Sequence, residues 1–365
     1  MSLFDRRLII NFDIKLLLAV VILTVVGIQS IYSATCLLDT GYHLKQTLWL
    51  TLGLLVLLIT ISVDYSILLR YSWLFYGFIL LCLVYLLFTS PIEGVKRYLK
   101  LPFLPRFIPA EFLKLALIMM IARYFQDRSL EHQGLRDLIV PAIITGIPLL
   151  LILKQPDLGT AMILVPIFLL LIYVAGFSFR KLVLICVLCG VLAGIAGSLV
   201  LKDYQKKRLE AFIFPERDLK GSGYQLYQSK IAIGAGGLTG KGFLASHQAQ
   251  LSFLPEQHTD FIFAVFEEQW GLVGGMALFT LFLYIIWRAL RVARLAVDNG
   301  GRLIAVGIVG LIGFQFLINA AMVIGLMPIT GLPMPFMSFG GSALLSNYLA
   351  VGLLLNIRMR SIVRY

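Results

Sequence analysis

Apolar residues come in long blocks along this chain, with the polar residues gathered between them. Runs such as Ile14–Ile31, Leu48–Val63 and Leu182–Leu201 contain at most one charged residue each. As helices they are long enough to cross a bilayer core of about 30 Å. The pattern predicts ten spans, near 13–32, 44–63, 71–90, 108–125, 138–153, 158–175, 182–201, 263–287, 303–326 and 340–357. The fifth and sixth meet at Gln155-Pro-Asp157, a tight break rather than a loop. The spans differ too much in length and punctuation for a simple repeat, and no polar segment is long enough for a soluble domain. The expectation is therefore an all-α polytopic membrane protein with a single membrane domain over 1–365. It has about ten transmembrane helices and one large outer loop, about 202–262, between helices seven and eight.

Composition sharpens this picture. The chain is 59% hydrophobic and only 14% charged, where a soluble globular protein is nearer a quarter charged. Its mean hydropathy is +0.92. Met1–Asn11 is short and mixed, and the run after it is too long for the core of a cleavable signal, so none is expected. Basic residues set the orientation. With a cytoplasmic N-terminus, Arg70, Arg123, Arg128, Arg136, Arg180, Lys181, Arg288, Arg291, Arg294, Arg302, Arg358 and Arg360 all fall inside. An even number of spans puts both termini there.

Two outer segments break the charge rule. The third-to-fourth connection carries Lys96, Arg97, Lys100 and Arg106, and the large loop carries Lys202, Lys206, Lys207, Arg208, Arg217, Lys220, Lys230 and Lys241. These are either solvated loop cations or an outward-facing basic site for an anionic substrate such as a lipid-linked phosphate. Cysteine chemistry adds nothing: Cys186 and Cys189 lie inside an apolar run, where packing is the expected role. The scattered His43, His132, His247 and His258 show no metal-ligand spacing. The glycine-rich run Gly234 to Gly242 fails as a phosphate-binding loop, because Ala235 stands at the first glycine and Gly242 at the hydroxyl position. An ATPase is excluded, leaving a tightly turning backbone with a lysine.

The polar residues at membrane depth carry more. Glu111 and Lys114 are three apart at the start of the fourth span, so they share a helix face and can pair. That pair is either a structural brace or part of a substrate cavity. Asp157 stands where it can cap the sixth span. The kinked, uncharged segment Gly331 to Ser342 borders a cavity mouth, because irregular backbone near a membrane needs protein or water around it. Finally, Phe253-Leu-Pro-Glu-Gln-His-Thr-Asp-Phe-Ile-Phe263 sets Glu256, His258, Thr259 and Asp260 between apolar anchors. Any of Asp260, His258 and Glu256 can act as a base there, with His258 favoured by its ordinary pKa alone.

Taken together, these motifs resemble the RodA/FtsW family (shape, elongation, division and sporulation) of bacterial cell-wall glycosyltransferases. The resemblance covers nearly the whole chain. It is carried by Gly94-Val-Lys-Arg97, Pro109-Ala-Glu-Phe-Leu-Lys114, Gln155-Pro-Asp-Leu-Gly-Thr160, Tyr204 with Arg208, and Gly223-Tyr-Gln225. Gln228-Ser229, Ile231-Ala-Ile-Gly234, Gly240-Lys-Gly242, Phe253 to Phe263, and Pro335-Phe336 with Ser338-Phe-Gly-Gly-Ser342 complete it in order. Length and short termini are more similar to the RodA branch. Two departures stand out: Tyr98 replaces the family's usual tryptophan, and Ile108-Pro-Ala-Glu111 keeps the glutamate of the fourth span but neither the amide nor the hydroxyl before it.

The resemblance implies polymerisation of lipid II into glycan strands at the outer face of the cytoplasmic membrane, during elongation and shape maintenance. It assigns catalysis to the aspartate of the large loop, which matches Asp260. Substrate contacts then fall to Lys96, Arg97, Glu111, Lys114, Asp157, Arg208, Lys241, Glu256, His258, Thr259 and Ser338. A divalent cation, Mg²⁺ or Mn²⁺, supports the chemistry, and no organic cofactor is expected. The implied partners are a class B penicillin-binding protein (a transpeptidase) and elongation-complex membrane proteins, with no nucleic acid. A lipid II flippase and a scaffold of the wall-synthesis complex are the competing functions. Crowding of polar motifs into one outer loop favours the enzyme, since the cytoplasmic loops carry mainly arginines.

Overall fold

The computed structural model describes residues 11–37, 41–90, 97–99, 107–128, 134–155, 157–184, 221–246 and 253–361, with 187, 210, 212–214 and 218 between them. Its helices are α1 (Ile14–Thr35), α2 (Tyr42–Ser62), α3 (Tyr65–Arg70), α4 (Ser72–Phe88), α5 (Pro109–Phe125) and α6 (Ile139–Lys154). They continue with α7 (Leu158–Val174), α8 (Ser222–Gly236), α9 (Ile262–Leu295), α10 (Asn299–Ile324) and α11 (Gly341–Arg360). Six of the described helices are long and apolar enough to cross a membrane, and α4 and α7 are shorter apolar helices. The chain is a multi-pass membrane protein. A helix begins at residue 179 and is described to 184. The rest of the expected seventh span, with Cys186 and Cys189, and the site candidates Lys96 and Arg208 lie outside the described residues.

Local chemistry sets the helix ends. Asp13, Asp64, Asp157 and Asp298 cap α1, α3, α7 and α10 by accepting backbone N–H groups of the first turn. Pro109 opens α5, where its missing N–H costs no hydrogen bond. Gly325 closes α10 in the left-handed conformation, φ 85°. The eighth span, expected to stop near 287, continues to Leu295, and the large loop contains α8, which the polar pattern concealed.

The core lies between α5, α10 and α11, with α10 packed against α5, α7, α9 and α11. Small residues allow the close approach of α11 to α2: a Cβ on Gly53 would meet the Tyr348 ring at 2.9 Å, and one on Gly352 would meet Thr60 at 2.9 Å. The Tyr348 hydroxyl shares a 3.0 Å hydrogen bond with Thr24 of α1. By contrast α2 and α4 turn leucines such as Leu58 and Leu81 outward, as a lipid-facing layer requires.

One break in a long helix shapes the whole upper half. Within α9, Gly271 leaves helical geometry at φ 62°, ψ −166°. The glycine-rich segment after α8 docks its own backbone into that gap. Leu272 N–H donates to the Gly237 carbonyl (3.0 Å) and Val273 N–H to that of Leu238 (3.1 Å). In return, Lys241 N–H and Gly242 N–H donate to the carbonyls of Glu268 and Gln269, each at 3.0 Å. Backbone groups freed from a helix are costly unless paired, and here main chain supplies the pairing. Glycine is needed because a Cβ on Gly240 would lie 2.1 Å from the Gln269 carbonyl oxygen, and one on Gly236 would lie 2.1 Å from that of Glu267.

This seam makes a test. Gly240 and Gly242 both have positive φ, +81° and +102°, so alanine at either costs about 1–2 kcal/mol of backbone strain. Only Gly240 also faces a backbone oxygen, since a Cβ on Gly242 meets nothing. Thermal unfolding in detergent should therefore show Gly240→Ala clearly less stable than Gly242→Ala; equal losses would refute the docked seam.

Candidate functional site

The segment 253–261 is a tight structure held at both ends. Leu254 and Phe261 are buried, and Gln257 donates its amide to the Ala34 carbonyl in the last turn of α1 at 2.8 Å. Glu256 takes positive φ, 51°, so its carbonyl turns to accept N–H groups from Thr259 (3.2 Å) and Asp260 (3.1 Å). Its carboxylate receives the Thr259 hydroxyl at 3.0 Å.

A second irregular segment, 326–340, lies across the first. Ser338 is the joint: its hydroxyl accepts from Met334 N–H (2.8 Å) and donates to the Thr259 carbonyl (2.6 Å). Phe339 N–H donates to the His258 carbonyl at 2.9 Å. Gln46 of α2 donates to the Ser338 carbonyl (3.0 Å) and accepts from Gly340 N–H (3.3 Å). From α10, the Asn319 amide donates to the carbonyls of Asp260 (2.9 Å) and Leu332 (2.8 Å). The Asp260 carboxylate lies over Gly331, whose φ is +71°, with Oδ2 3.4 Å from where a Cβ would stand. A side chain at 331 would touch that carboxylate and be strained by the positive φ.

His258 forms the wall beside it. Its ring stacks on Tyr42 (centroids 4.5 Å, planes 10° apart), with Phe339 tilted at 5.8 Å. Burial pulls its pKa below the ordinary 6.5, partly opposed by the negative charge of Glu256. The imidazole is therefore neutral at neutral pH.

The other candidates take distinct places. Asp157 caps α7, with Oδ1 accepting from Thr160 N–H (3.2 Å) and Oδ2 from the Thr160 hydroxyl (2.9 Å). The first turn of α7 abuts the second irregular segment, because a Cβ on Gly159 would meet the Thr330 carbonyl at 2.5 Å. Glu111 and Lys114 form a 2.7 Å ion pair with side chains 8% and 1% exposed. The pair is tied to the start of α11 by the Ser346 hydroxyl on the Glu111 carbonyl (2.9 Å) and by Ile108 N–H on Ser342 (3.0 Å). Arg97 precedes a Leu99–Phe107 bridge that leads into α5, and its Nε is buried without a hydrogen-bond partner. Lys241 is held at the α9 seam instead: its ammonium lies 2.8 Å from Glu268, whose other oxygen receives the Ser246 hydroxyl at 2.5 Å.

So Glu256, His258, Thr259, Asp260 and Ser338 converge, with Asp157 one segment away. The residues that organise them, Gln46, Gln257 and Asn319, were missed in the sequence. Their signal was present: an amide inside an apolar run must find partners when buried. As for the implied divalent cation, no three His, Cys, Asp or Glu side chains converge among the described residues to hold one.

Comparison with known proteins places this geometry. Residues 10–362 match the family described as cell cycle protein, which groups FtsW, RodA and SpoVE. The peptidoglycan glycosyltransferase RodA of Treponema pallidum is 33% identical, covering 96% of this chain and 98% of its own. The peptidoglycan glycosyltransferase MrdB of Escherichia coli K12 is 34% identical over 95% of this chain and 94% of its own. A probable peptidoglycan glycosyltransferase FtsW of Trichlorobacter lovleyi is 38% identical over 95% and 93%. In structure, a chain of a peptidoglycan synthase complex that coordinates polymerisation and crosslinking superposes with a TM-score of 0.84 at 28% identity, covering 97% of this chain and 99% of that one. The rod shape determining protein RodA of Thermus thermophilus gives 0.72 at 26% identity over 96% and 98%. A match of this extent, in sequence and in fold, makes the chain a member of the FtsW, RodA and SpoVE family.

Proposed function

We propose that this chain polymerises lipid II into glycan strands at the outer face of the cytoplasmic membrane, serving elongation and shape maintenance, with Asp260 as general base. One observation carries the proposal: the main chain around Asp260 is gripped from α10 and from the 326–340 segment, two residues along from a neutral imidazole stacked on Tyr42. In the reaction a sugar hydroxyl attacks the anomeric carbon of a second unit. The new C–O bond forms as the bond to the pyrophosphate oxygen breaks. The hydroxyl proton passes to Asp260, a contribution of roughly 10²–10⁴-fold. A single displacement inverts the anomeric centre. Arg97, with a buried N–H group lacking a partner, is suited to the charge that builds on the departing pyrophosphate. Lys96 and Arg208 share that role in the proposal.

We further propose ten spans with both termini cytoplasmic. Asn11 and Arg358 line one cavity at the end away from Asp260, which agrees with an even number of crossings. A class B penicillin-binding protein is the proposed partner, because a strand emerging at the outer face needs crosslinking beside its exit. The complex found for the structural relative supports that choice.

Three measurements test the proposal. First, Asp260→Asn keeps the shape but removes the basic carboxylate. Purified with fluorescent lipid II, it should insert normally while glycan ladders fall by orders of magnitude. Undiminished ladders would remove Asp260 from the mechanism, and transport of lipid II across liposomes without polymer would favour a flippase.

Second, Glu111→Gln and Lys114→Met should each lose activity, because each leaves an uncompensated buried charge costing about 3–5 kcal/mol. The double variant removes both charges and should regain stability yet stay inactive, since buried pairs at membrane depth are rarely kept for stability alone. Recovered activity would reduce the pair to a brace.

Third, His258 has a folded-state pKa below its unfolded value. The docked loop thus has its full stability above pH 6.5 and loses it as pH falls through the lowered value. Amide exchange over 257–261 should accelerate in that acidic window. The His258→Phe variant keeps the stacking and should show no such rise; an unchanged acid response in it would assign the effect elsewhere.

A further inference from the structure

At the end of the bundle away from Asp260, a cavity of about 170 Å³ opens where α1 begins and α11 ends. Its lining includes Asn11, Asp13, Ile14, Lys15, Arg288 and Arg358. Arg288 lies roughly 40 Å along α9 from Ile262, about the thickness of a membrane. The cavity holds three cationic side chains against the single carboxylate of Asp13. That carboxylate is already occupied: it accepts Leu16 N–H at 3.0 Å and meets Arg288 at 2.5 Å and 3.0 Å.

Two other arginines at this end are bound inward. Arg123 donates to the carbonyls of Leu69 and Arg70, and Arg360 reaches Asp64 at 3.4 Å. Lys15 and Arg358 differ. Lys15 has no carboxylate partner among the described residues, and the Arg358 guanidinium donates to the neutral Ser361 hydroxyl at 3.3 Å. Two positive charges therefore face the cavity without a counter-ion from the described chain.

The apolar surroundings identify what an anion there would be attached to. Ile14, on the cavity wall, begins a stripe with Leu18 and Ile22 at four-residue spacing, each about half exposed. On α9, Trp287 is also about half exposed and sits between Arg288 and Arg291, whose guanidinium carbons are each 5.8 Å from its ring. A tryptophan flanked by arginines marks the level where headgroups meet hydrocarbon. A phosphate on the cations with acyl chains along the α1 stripe satisfies both surfaces, whereas a free phosphate would use only the first. We propose that this cavity is a headgroup site for an anionic phospholipid.

The test uses the full chain in a neutral detergent, with native mass spectrometry to measure binding of dioctanoyl phosphatidylglycerol, dioctanoyl phosphatidylcholine and inorganic phosphate. Phosphatidylglycerol should bind at least about tenfold more tightly than phosphatidylcholine, and phosphate should not displace it. The double variant Lys15→Gln with Arg358→Gln should abolish that preference while its thermal unfolding stays unchanged. Should the double variant fail to fold, Lys15→Gln alone, at an exposed position, should weaken the same preference. Equal affinity for the two lipids would overturn the proposal. So would displacement by phosphate, which would show a site for a free anion, or a preference that survives in the variants, which would move the binding elsewhere.

Discussion

A backbone group that leaves its helix inside a bilayer has no water to turn to, and that constraint organises the half of the molecule around Asp260. At Gly271 the break in α9 exposes N–H and C=O groups, and the segment 237–242 answers them with its own main chain. The irregular segments 253–261 and 326–340 face the same demand. They meet it with side-chain amides and hydroxyls from α2, α10 and Ser338. The glycines at the seam, the buried amides and the left-handed turns are thus parts of one solution. Each helps to pair main-chain groups where the chain departs from regular helix.

Charge obeys a related rule at three places: Glu111 pairs with Lys114, Glu268 pairs with Lys241, and Asp157 caps the first turn of α7. Each of these three carboxylates is matched by a neighbour within its own segment or across one contact. The charges nearer the two ends divide the molecule into a site built around a carboxylate and an opposite rim built around arginines.

The fold was legible because hydrophobic block length is a direct physical requirement for crossing a membrane. The starts and ends of α1, α5, α6 and α7 fall within a few residues of the pattern, and the break at Gln155–Asp157 stands where it was expected. The pairing of Glu111 with Lys114 and the cap at Asp157 were also legible, because both depend on spacing along one helix. What was hidden depends on contacts between distant segments. The glycine run 234–242 reads as a loop until α9 supplies the gap it fills, and the extension of α9 to Leu295 is masked by its arginines. The 2.8 Å pairing of Lys241 with Glu268, 27 residues on, was equally hidden. Gln46 and Asn319 reveal their importance only once their partners, 292 and 59 residues away, are known.

The grip on the site falls on carbonyls and amides of the main chain: Asn319 on residue 260, Ser338 on residue 259, and Phe339 on residue 258. Such a mount is blind to the identity of the side chains it carries. Evolution can therefore rewrite positions 258 and 259 to alter the wall of the site while the carboxylate keeps its coordinates. The reverse does not hold. Substitution at 319 changes none of the converging side chains, yet it loosens the mount that holds residue 260. Inheritance of the chemistry thus rests more on the amides and hydroxyls behind the loop than on most of the residues the loop displays.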